Sequence, residues 1–521
     1  MSNSPILLTD DEVRQFIVDG FIALEPDVDP TVHANINRQL RTAAAREPHH
    51  GNNILPRIPE LYTVLESSRI HGAVTSLLGP DYLLHPHRAI HRSTPVDDLT
   101  IDTDIEADGL PMGKGSTAAS VWHQDAQSPL ARARHHTPRF LIGFYFPHDT
   151  PLKMGPTRLQ ASSYLWPGPQ DEPIDVVVPD YVKAGTFVLV HFDMVHAGLS
   201  NRSDSDRYML KFVFNRMSNP TAPTWNSKVE QWRLPERVGL RAFDDAWENI
   251  WRWLHGGERK PVNVGKVNNL RNKDIELSVN AIYQSYAPEW LSRSLLDKAG
   301  RDLHIRRLVR TSNGRQLVRD DISGYPRRWN ERAVVVEPES HAFALLGSDA
   351  IPYLLELAEL EDPWLDINIA FTLGEIGIMN DDVECLITRM LASAIQQVVR
   401  QAIDAIAFIQ PNATPFLDQF LDLLSSERPE WQRKEVERGW VAQDQIRLNI
   451  MFACVALLNT KTDKTQLETL FKTGLDDQGY CAAVALEGLR RLGDPSALAI
   501  ALDYACKRNW DLGLLNREVG Y

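Results

Sequence analysis

The first stretch of the chain carries a helical pattern. Thr9-x-x-Glu12 has the form of a capping box, Val13, Phe16 and Ile17 follow at helical spacing, and Gly20 stops the run. Phe21-Ile22-Ala23-Leu24 then predicts a short strand. Helical patterns return near residues 30–46 and 67–78, the second ending at Gly79-Pro80. From Tyr82 the period changes. Tyr82–His91 is strand-like, and further strands are predicted around Ala119–His123, Phe140–Phe146, Thr157–Gln160, Val176–Val178, Thr186–His191 and Tyr208–Arg216. Pro147, Gly155-Pro156, Pro167-Gly168 and Lys183-Ala184-Gly185 separate them. Many short strands with regular turns predict a β-sandwich or jelly roll. Residues 97–118, acidic and then Gly-rich, have no period and read as a mobile loop or lid.

After about Asn219 the strand texture ends. Residues 219–335 are expected to form a connecting, mostly helical region, with a clear helical patch at Asp244–Leu254. From about residue 340 the chain is helical. Ile367–Gly377, Val399–Ile409, Ile446–Leu458 and Cys481–Gly493 resemble one another, each with Ala and aliphatics at i, i+3, i+4 and i+7. Their spacing of roughly 32–47 residues resembles degenerate HEAT-type repeats, in which stacked helix pairs bury what one pair cannot. An irregular helical bundle is the plainer alternative. The expected organisation is an α+β N-terminal domain at 1–218, the connecting region at 219–335, and an all-α, HEAT-like solenoid at 336–521.

Composition narrows the function classes. A length of 521 residues suggests two to four domains, and 43% hydrophobic with 24% charged residues is ordinary for a globular protein. The net charge of -14 repels phosphate backbones, so nucleic acid is not expected as a partner. All four cysteines, Cys385, Cys454, Cys481 and Cys506, sit in apolar helical settings and are expected to be small buried hydrophobes. The first residues lack the basic and apolar regions of a signal peptide, and no run of ~18 apolar residues suggests a membrane span. A cytoplasmic protein is the resulting expectation.

The segment richest in chemistry is Val121-Trp122-His123-Gln124-Asp125. On a strand, residues i and i+2 share a face, so His123 and Asp125 can offer a nitrogen and an oxygen to one metal ion. A second histidine from another strand completes one face of ligands and leaves the opposite positions open, the arrangement of non-haem iron(II) oxygenases. His196, after the apolar strand Thr186–Val190, is the expected partner. Arg207 follows eleven residues later and opens an alternating strand. Its planar fork of donors matches a carboxylate such as the distal one of 2-oxoglutarate. A rival set, His191-Phe192-Asp193 with His196, would all come from one strand end and its turn. The plainer reading makes His191 a core residue and Asp193 a turn cap. His85 and His87 read as structural or substrate-facing. His135 and His136, beside Arg132-Ala133-Arg134, read as a solvated basic loop able to meet an anionic substrate.

His-x-Asp, a later His and an Arg eleven residues beyond it resemble the phytanoyl-CoA dioxygenase family. The opening Leu8-Thr9-Asp10-Asp11-Glu12 with Asp19-Gly20-Phe21-Ile22 is similar to that family's usual start. Met154-Gly155-Pro156-Thr157-Arg158-Leu159-Gln160-Ala161-Ser162-Ser163-Tyr164 resembles its NGP…PGSH segment. The likeness spans roughly residues 5–217 and leaves out the helical repeats. It implies a double-stranded β-helix (jelly roll, cupin-like), an Fe(II) centre on His123, Asp125 and His196, and 2-oxoglutarate and O₂ as cosubstrates, with Arg207 on the cosubstrate's far carboxylate. Gln124 is expected near the cosubstrate, Phe144 as a wall of its pocket, and Arg92 or His91 as a further polar contact. Residues 97–118, His85, His87 and Trp166 are expected to line the substrate pocket. Two positions depart from the family: its GSH reads Ser162-Ser163-Tyr164, and its Ser or Thr two residues after the second histidine is Gly198. The expected function is hydroxylation of a small organic molecule with release of succinate and CO₂. Asp125 favours that outcome, since related halogenases lack the carboxylate. Two alternatives stand beside it: an interaction protein whose oxygenase domain is idle, and a hydroxylase whose protein substrate is delivered by the helical repeats.

Overall fold

A computed structural model describes residues 4–46, 52–96, 122–125, 133–166, 174–239, 243–259, 336, 339–432, 441–477 and 479–509. They form two compact units. The first holds the described residues up to 259 together with 339–347, and the second holds residue 336 and the described residues from 348 onward. The acidic and Gly-rich stretch at 97–118 and most of the connecting region at 219–335 lie outside the described residues.

The first unit opens with helix α1 (Asp10–Asp19), and its capping box is formed: the Thr9 hydroxyl accepts from Glu12 N at 3.3 Å, and the Glu12 carboxylate accepts from Thr9 N at 2.8 Å. Gly20 ends the helix at φ 82°, and a Cβ there would lie 2.1 Å from Met194 Cε, so both backbone and space require glycine. There follow β1 (Phe21–Leu24), α2 (Pro30–Arg46), α3 (Ile54–Arg57), α4 (Leu61–Leu65), α5 (Ser68–Leu78) and β2 (Leu83–Ser93). The remaining strands are β3 (Phe140–Tyr145), β4 (Thr150–Pro151), β5 (Thr157–Gln160), β6 (Val176–Val177), β7 (Tyr181–Val182), β8 (Phe187–His191), β9 (His196–Gly198) and β10 (Arg207–Asn215). A five-stranded antiparallel sheet has the order β1-β8-β3-β10-β2, and a three-stranded sheet the order β6-β5-β9. The sheet-rich domain expected from the strand pattern is therefore present.

The central strands β3 and β10 of the larger sheet are buried on both faces. All nine residues of β10 are buried, so its two side-chain rows serve two different interiors. One row is aromatic. Phe187 stacks on Phe212 with ring centroids 6.3 Å apart, and Gly143 between them has no room for a Cβ, which would lie 2.4 Å from the Phe187 ring. Tyr145, on the same face, meets His33 of α2 through a 2.7 Å bond between its hydroxyl and Nδ1. Each buried phenylalanine stabilises this layer by roughly 1.5–3 kcal/mol. The other row, Arg207, Met209 and Lys211 with Phe144 and Val188 in register, faces the polar centre described below.

Residues after Asn219 fold back on α1. Trp225 Nε1 donates to Asp10 Oδ1 at 2.8 Å, and the Lys228 and Val229 amides donate to Asp10 Oδ2 at 2.9 and 3.0 Å. Helix α6 (Asp244–Leu254) matches its expected range and puts Trp251 under the Arg14 guanidinium at 4.6 Å. Helix α7 (Glu339–Leu345) also belongs to this unit, and His341 on it stacks against His136 with centroids 3.7 Å apart.

The second unit is helical: α8 (Ile351–Ala358), α9 (Pro363–Ile376), α10 (Asp381–Leu391), α11 (Gln396–Ile409), α12 (Leu417–Ser425), α13 (Ala442–Ala456), α14 (Lys464–Gly474), α15 (Tyr480–Leu492) and α16 (Pro495–Asn509). Helices α9, α11, α13 and α15 pack on one another in chain order, while α10, α12 and α14 pack beside them. Every residue of α11 is buried, which marks an inner-layer helix with no solvent face. Two of its polar groups are matched across the layer: Gln396 to Gln445 at 3.1 Å, and Asp404 to Asn449 at 3.1 Å.

Several expectations are corrected. Cys454 and Cys481 are buried, but Cys385 and Cys506 are exposed, because they fall on the outward rows of α10 and α16. His135 and His136 are buried rather than solvated, at 1% and 8% exposure. The expected strand at 119–123 is described only from Trp122, and there His123 makes a single bridge. Strands β4, β7 and β9 and helices α3 and α4 were not predicted, since two to five residues carry no period.

Candidate metal centre

Two histidines pair side by side at the β9 edge of the three-stranded sheet. His123 and His196 exchange both backbone bonds, N to O, at 3.1 and 2.9 Å. Partners in such a pair project their side chains to the same side. The two imidazoles accordingly lie with centroids 4.4 Å apart. Asp125, two residues along, returns to that face and sets Oδ2 3.8 Å from His196 Nε2. One ligand atom from each residue lies within 4.8 Å of the others, and among the described residues this is the one such cluster of three. The separation suits three ligands sharing a metal ion.

The surroundings fix the chemical state of each ligand. His196 Nδ1 lies 3.0 Å from the Met194 carbonyl, which can only accept. Nδ1 therefore carries the proton, and the Nε2 lone pair is turned toward Asp125. Burial pushes the Asp125 carboxyl up, but the Lys211 ammonium and then His196 and His123 outweigh it and hold it well below the usual carboxylate range. The carboxylate is thus ionised, as a ligand must be. Lys211 is ion-paired to it directly.

Gln124, between the two ligands, takes the opposite direction. Its amide nitrogen donates to the Asp193 carbonyl at 2.7 Å and reaches those of Ser163 and Trp166 at 3.3 and 3.4 Å. Ser163 Oγ in turn accepts from Val195 N at 2.8 Å. The ligand segment, the turn after β5 and the approach to β9 are thereby tied together. Gln124 turns away from the ligand face, because alternation sends i+1 to the other side.

Arg207 is buried at the start of β10, with its guanidinium donating to the Gly155 carbonyl. Gly155 has φ 70° and packs so closely that a Cβ would meet Leu199 O at 2.4 Å. Burial lowers the pKa of Arg207 to about 10, and among the described residues its buried Nε has no partner. An orphaned buried guanidinium donor calls for an acceptor, and a carboxylate supplies one. Phe144 lies against the centre, its ring centroid 5.5 Å from that of His196. His91 pairs with Met209 and so shares the face of Arg207 and Lys211. Its side chain is exposed to solvent. Arg92 pairs with Tyr208 on the other face and is ion-paired with Asp206 at 2.7 Å, so it does not join the centre.

The rival set is not assembled. His191 lies on the face of β8 opposite Val188, stacked on Tyr164 at 4.3 Å. Both its nitrogens are engaged, Nε2 with Thr137 O at 3.3 Å and Nδ1 with Asp193 N at 3.2 Å. Asp193 Oδ2 accepts from His135 N at 3.2 Å, and burial raises its pKa to about 7. His85 and Trp166 are buried, and His85 Nδ1 accepts from His87 N at 2.8 Å.

Sequence reasoning missed Lys211. A lysine in register with Arg207 within an otherwise apolar strand was the available signal, since both fall on one face.

The sequence model of the phytanoyl-CoA dioxygenase (PhyH) family matches residues 16–209. No curated protein sequence matches the chain. Among solved structures, the chain is similar to a nickel complex of the non-heme monooxygenase ThoJ, at 18% identity over 46% of this chain and 94% of that one, with a TM-score of 0.30. It is similar to the non-heme α-ketoglutarate-dependent carbocyclase SnoK from nogalamycin biosynthesis, at 17% identity over 41% and 88%, TM-score 0.31. It is also similar to CytC3 with Fe(II) and α-ketoglutarate, at 15% identity over 41% and 79%, TM-score 0.30. The family match covers His123, Asp125, His196 and Arg207 in one span, and residues 16–209 are a phytanoyl-CoA dioxygenase family domain.

Proposed function

We propose that the first unit is an Fe(II)- and 2-oxoglutarate-dependent dioxygenase with a double-stranded β-helix core, and that it hydroxylates an unactivated C–H bond of a small organic molecule. The observation that carries this reading is the convergence of His123, Asp125 and His196 within 4.8 Å, on a face that a third strand, β10, flanks with Arg207. Two imidazoles and one ionised carboxylate are the donor set of a facial site for ferrous ion. When bound, iron with 2-oxoglutarate and O₂ supplies an oxidant strong enough for such a bond, releasing succinate and CO₂.

The residues present fit both groups. His123, Asp125 and His196 would hold the ion, with the Met194 carbonyl fixing the tautomer of His196. The unpartnered Nε of Arg207 would bind the far carboxylate of the cosubstrate. Phe144 closes one side of that pocket and keeps water from it. Gln124 and Ser163 hold the ligand segments in place from behind. The stacked helices of the second unit we read as a HEAT-like solenoid, able to present an extended surface to a protein partner.

The test is succinate release from 2-oxoglutarate with Fe(II) and O₂, compared between wild type, Asp125→Ala and Asp193→Asn. Uncoupled or substrate-stimulated release in the wild type, lost in Asp125→Ala and kept in Asp193→Asn, is expected. Release that survives Asp125→Ala contradicts the assignment. In Arg207→Leu, 2-oxoglutarate affinity should fall by about 2–3 kcal/mol, roughly a hundredfold, with metal uptake retained.

A further inference from the structure

Lys211 has no task in the chemistry so far. It lies on the inner row of β10 with Arg207, in register with Ala89 of β2 and Phe144 of β3. Its side chain is 6% exposed and its ammonium is ion-paired to Asp125 Oδ2, the oxygen that faces His196 Nε2 at 3.8 Å. Among the described residues its ammonium has no second acceptor. A metal ion held by His123, Asp125 and His196 needs that same carboxylate, so ion and ammonium compete for it. Once the ion is seated, a buried ammonium faces a dication with its counter-charge drawn away, which is costly unless another anion arrives.

Charge bookkeeping says where the anion must come from. The ion, Arg207 and Lys211 together outweigh Asp125 and a dianionic cosubstrate by one unit of charge. His123 and His196 count as neutral, as ligands to the ion must be. Asp193, the other carboxyl that acts on Asp125, lies beside Arg134, and the two are left out of this count. With a neutral residue at position 211 the loaded centre would be balanced and would suit a neutral substrate.

Building on the oxygenase reading, we propose that Lys211 receives a carboxylate of the substrate, so that the enzyme acts on a monoanionic organic acid whose acid group lies beside the metal. A phosphate monoester, carrying nearly two charges, would overshoot the balance.

The experiment uses the full chain loaded with Ni(II) and 2-oxoglutarate, which binds without turnover. Matched aliphatic and aromatic carboxylic acids and their primary amides are titrated by calorimetry. Acids are expected to bind at least about tenfold more tightly than their amides, a preference erased in Lys211→Gln and largely kept in Lys211→Arg. Without ligands, Lys211→Gln should bind Ni(II) more tightly than wild type, since the competitor for Asp125 is gone; this also shows that the variant is folded. Equal binding of acid and amide by the wild type, or no binding of any acid, overturns the inference alone. Loss of 2-oxoglutarate rather than of the acid in Lys211→Gln also overturns it and assigns the lysine to the cosubstrate. A wild type that takes up neither Ni(II) nor 2-oxoglutarate sinks the oxygenase reading, and this inference with it.

Discussion

Ser162 occupies a position where the family pattern has glycine, and the backbone shows why glycine suits it. Its φ is 61°, in the left-handed region that costs a non-glycine residue about 1 kcal/mol. The hydroxyl recovers part of that cost by donating to Val18 O at 2.6 Å. Ser162→Gly should therefore change stability by less than about 1 kcal/mol, while Ser162→Ala, keeping the strain and losing the bond, should destabilise by about 1–2 kcal/mol. Urea unfolding of the two variants checks the order. Asp193 gives a pH signature. Its carboxyl is raised to about 7 in the fold by burial, against an unfolded value near 4, so folding favours the protonated form. That contribution is full below about pH 4 and is lost as pH climbs through about 7. The metal-free wild type should lose more stability between pH 5 and pH 8 than Asp193→Asn, measured by denaturant midpoint. An equal loss in both assigns the effect elsewhere.

At the scale of elements, strand alternation decides most of the centre. It carries His123 and Asp125 to one face, and it sends Gln124 to the carbonyls of Ser163, Trp166 and Asp193. Gln124→Ala should then lower metal affinity by about tenfold without touching a ligand, with the far-ultraviolet circular dichroism unchanged. Unaltered affinity would reduce Gln124 to a packing residue. The same alternation explains what the sequence made legible. Long periodic elements such as α1, α5, α6 and β10 could be read within a residue or two, because each repeats its pattern over several turns or pleats. His-x-Asp was legible for the same reason. Strand β9 was not, since His196-Ala197-Gly198 has no room for a pattern and its pairing depends on β5, far off in sequence. Lys211 was passed over because both rows of β10 are buried, and the sequence does not show which interior a lone lysine on one row faces. His135 and His136 were misread from their basic neighbours; tertiary packing against His341 and Asp193 buries them.

The whole molecule joins two units of different construction, one built on antiparallel sheets and one on stacked helices. Chains of this kind need not unfold in a single step. A ligand stabilises the unit that binds it by an amount set by its concentration over Kd, about 2.7 kcal/mol at a hundredfold excess. Metal with 2-oxoglutarate should raise one calorimetric transition and leave another in place. Equal movement of all transitions would mean that the helical unit is coupled to the centre. Among the described residues no helix is long and apolar enough to cross a membrane. The most direct measurement is an anaerobic titration of Fe(II), then 2-oxoglutarate, into wild type and Asp125→Ala. One ion and one 2-oxoglutarate per wild-type chain, with the ion lost in the variant, is the expected result. A folded wild type that takes up no iron, or an Asp125→Ala chain that holds it as tightly, would contradict a ferrous site on His123, Asp125 and His196.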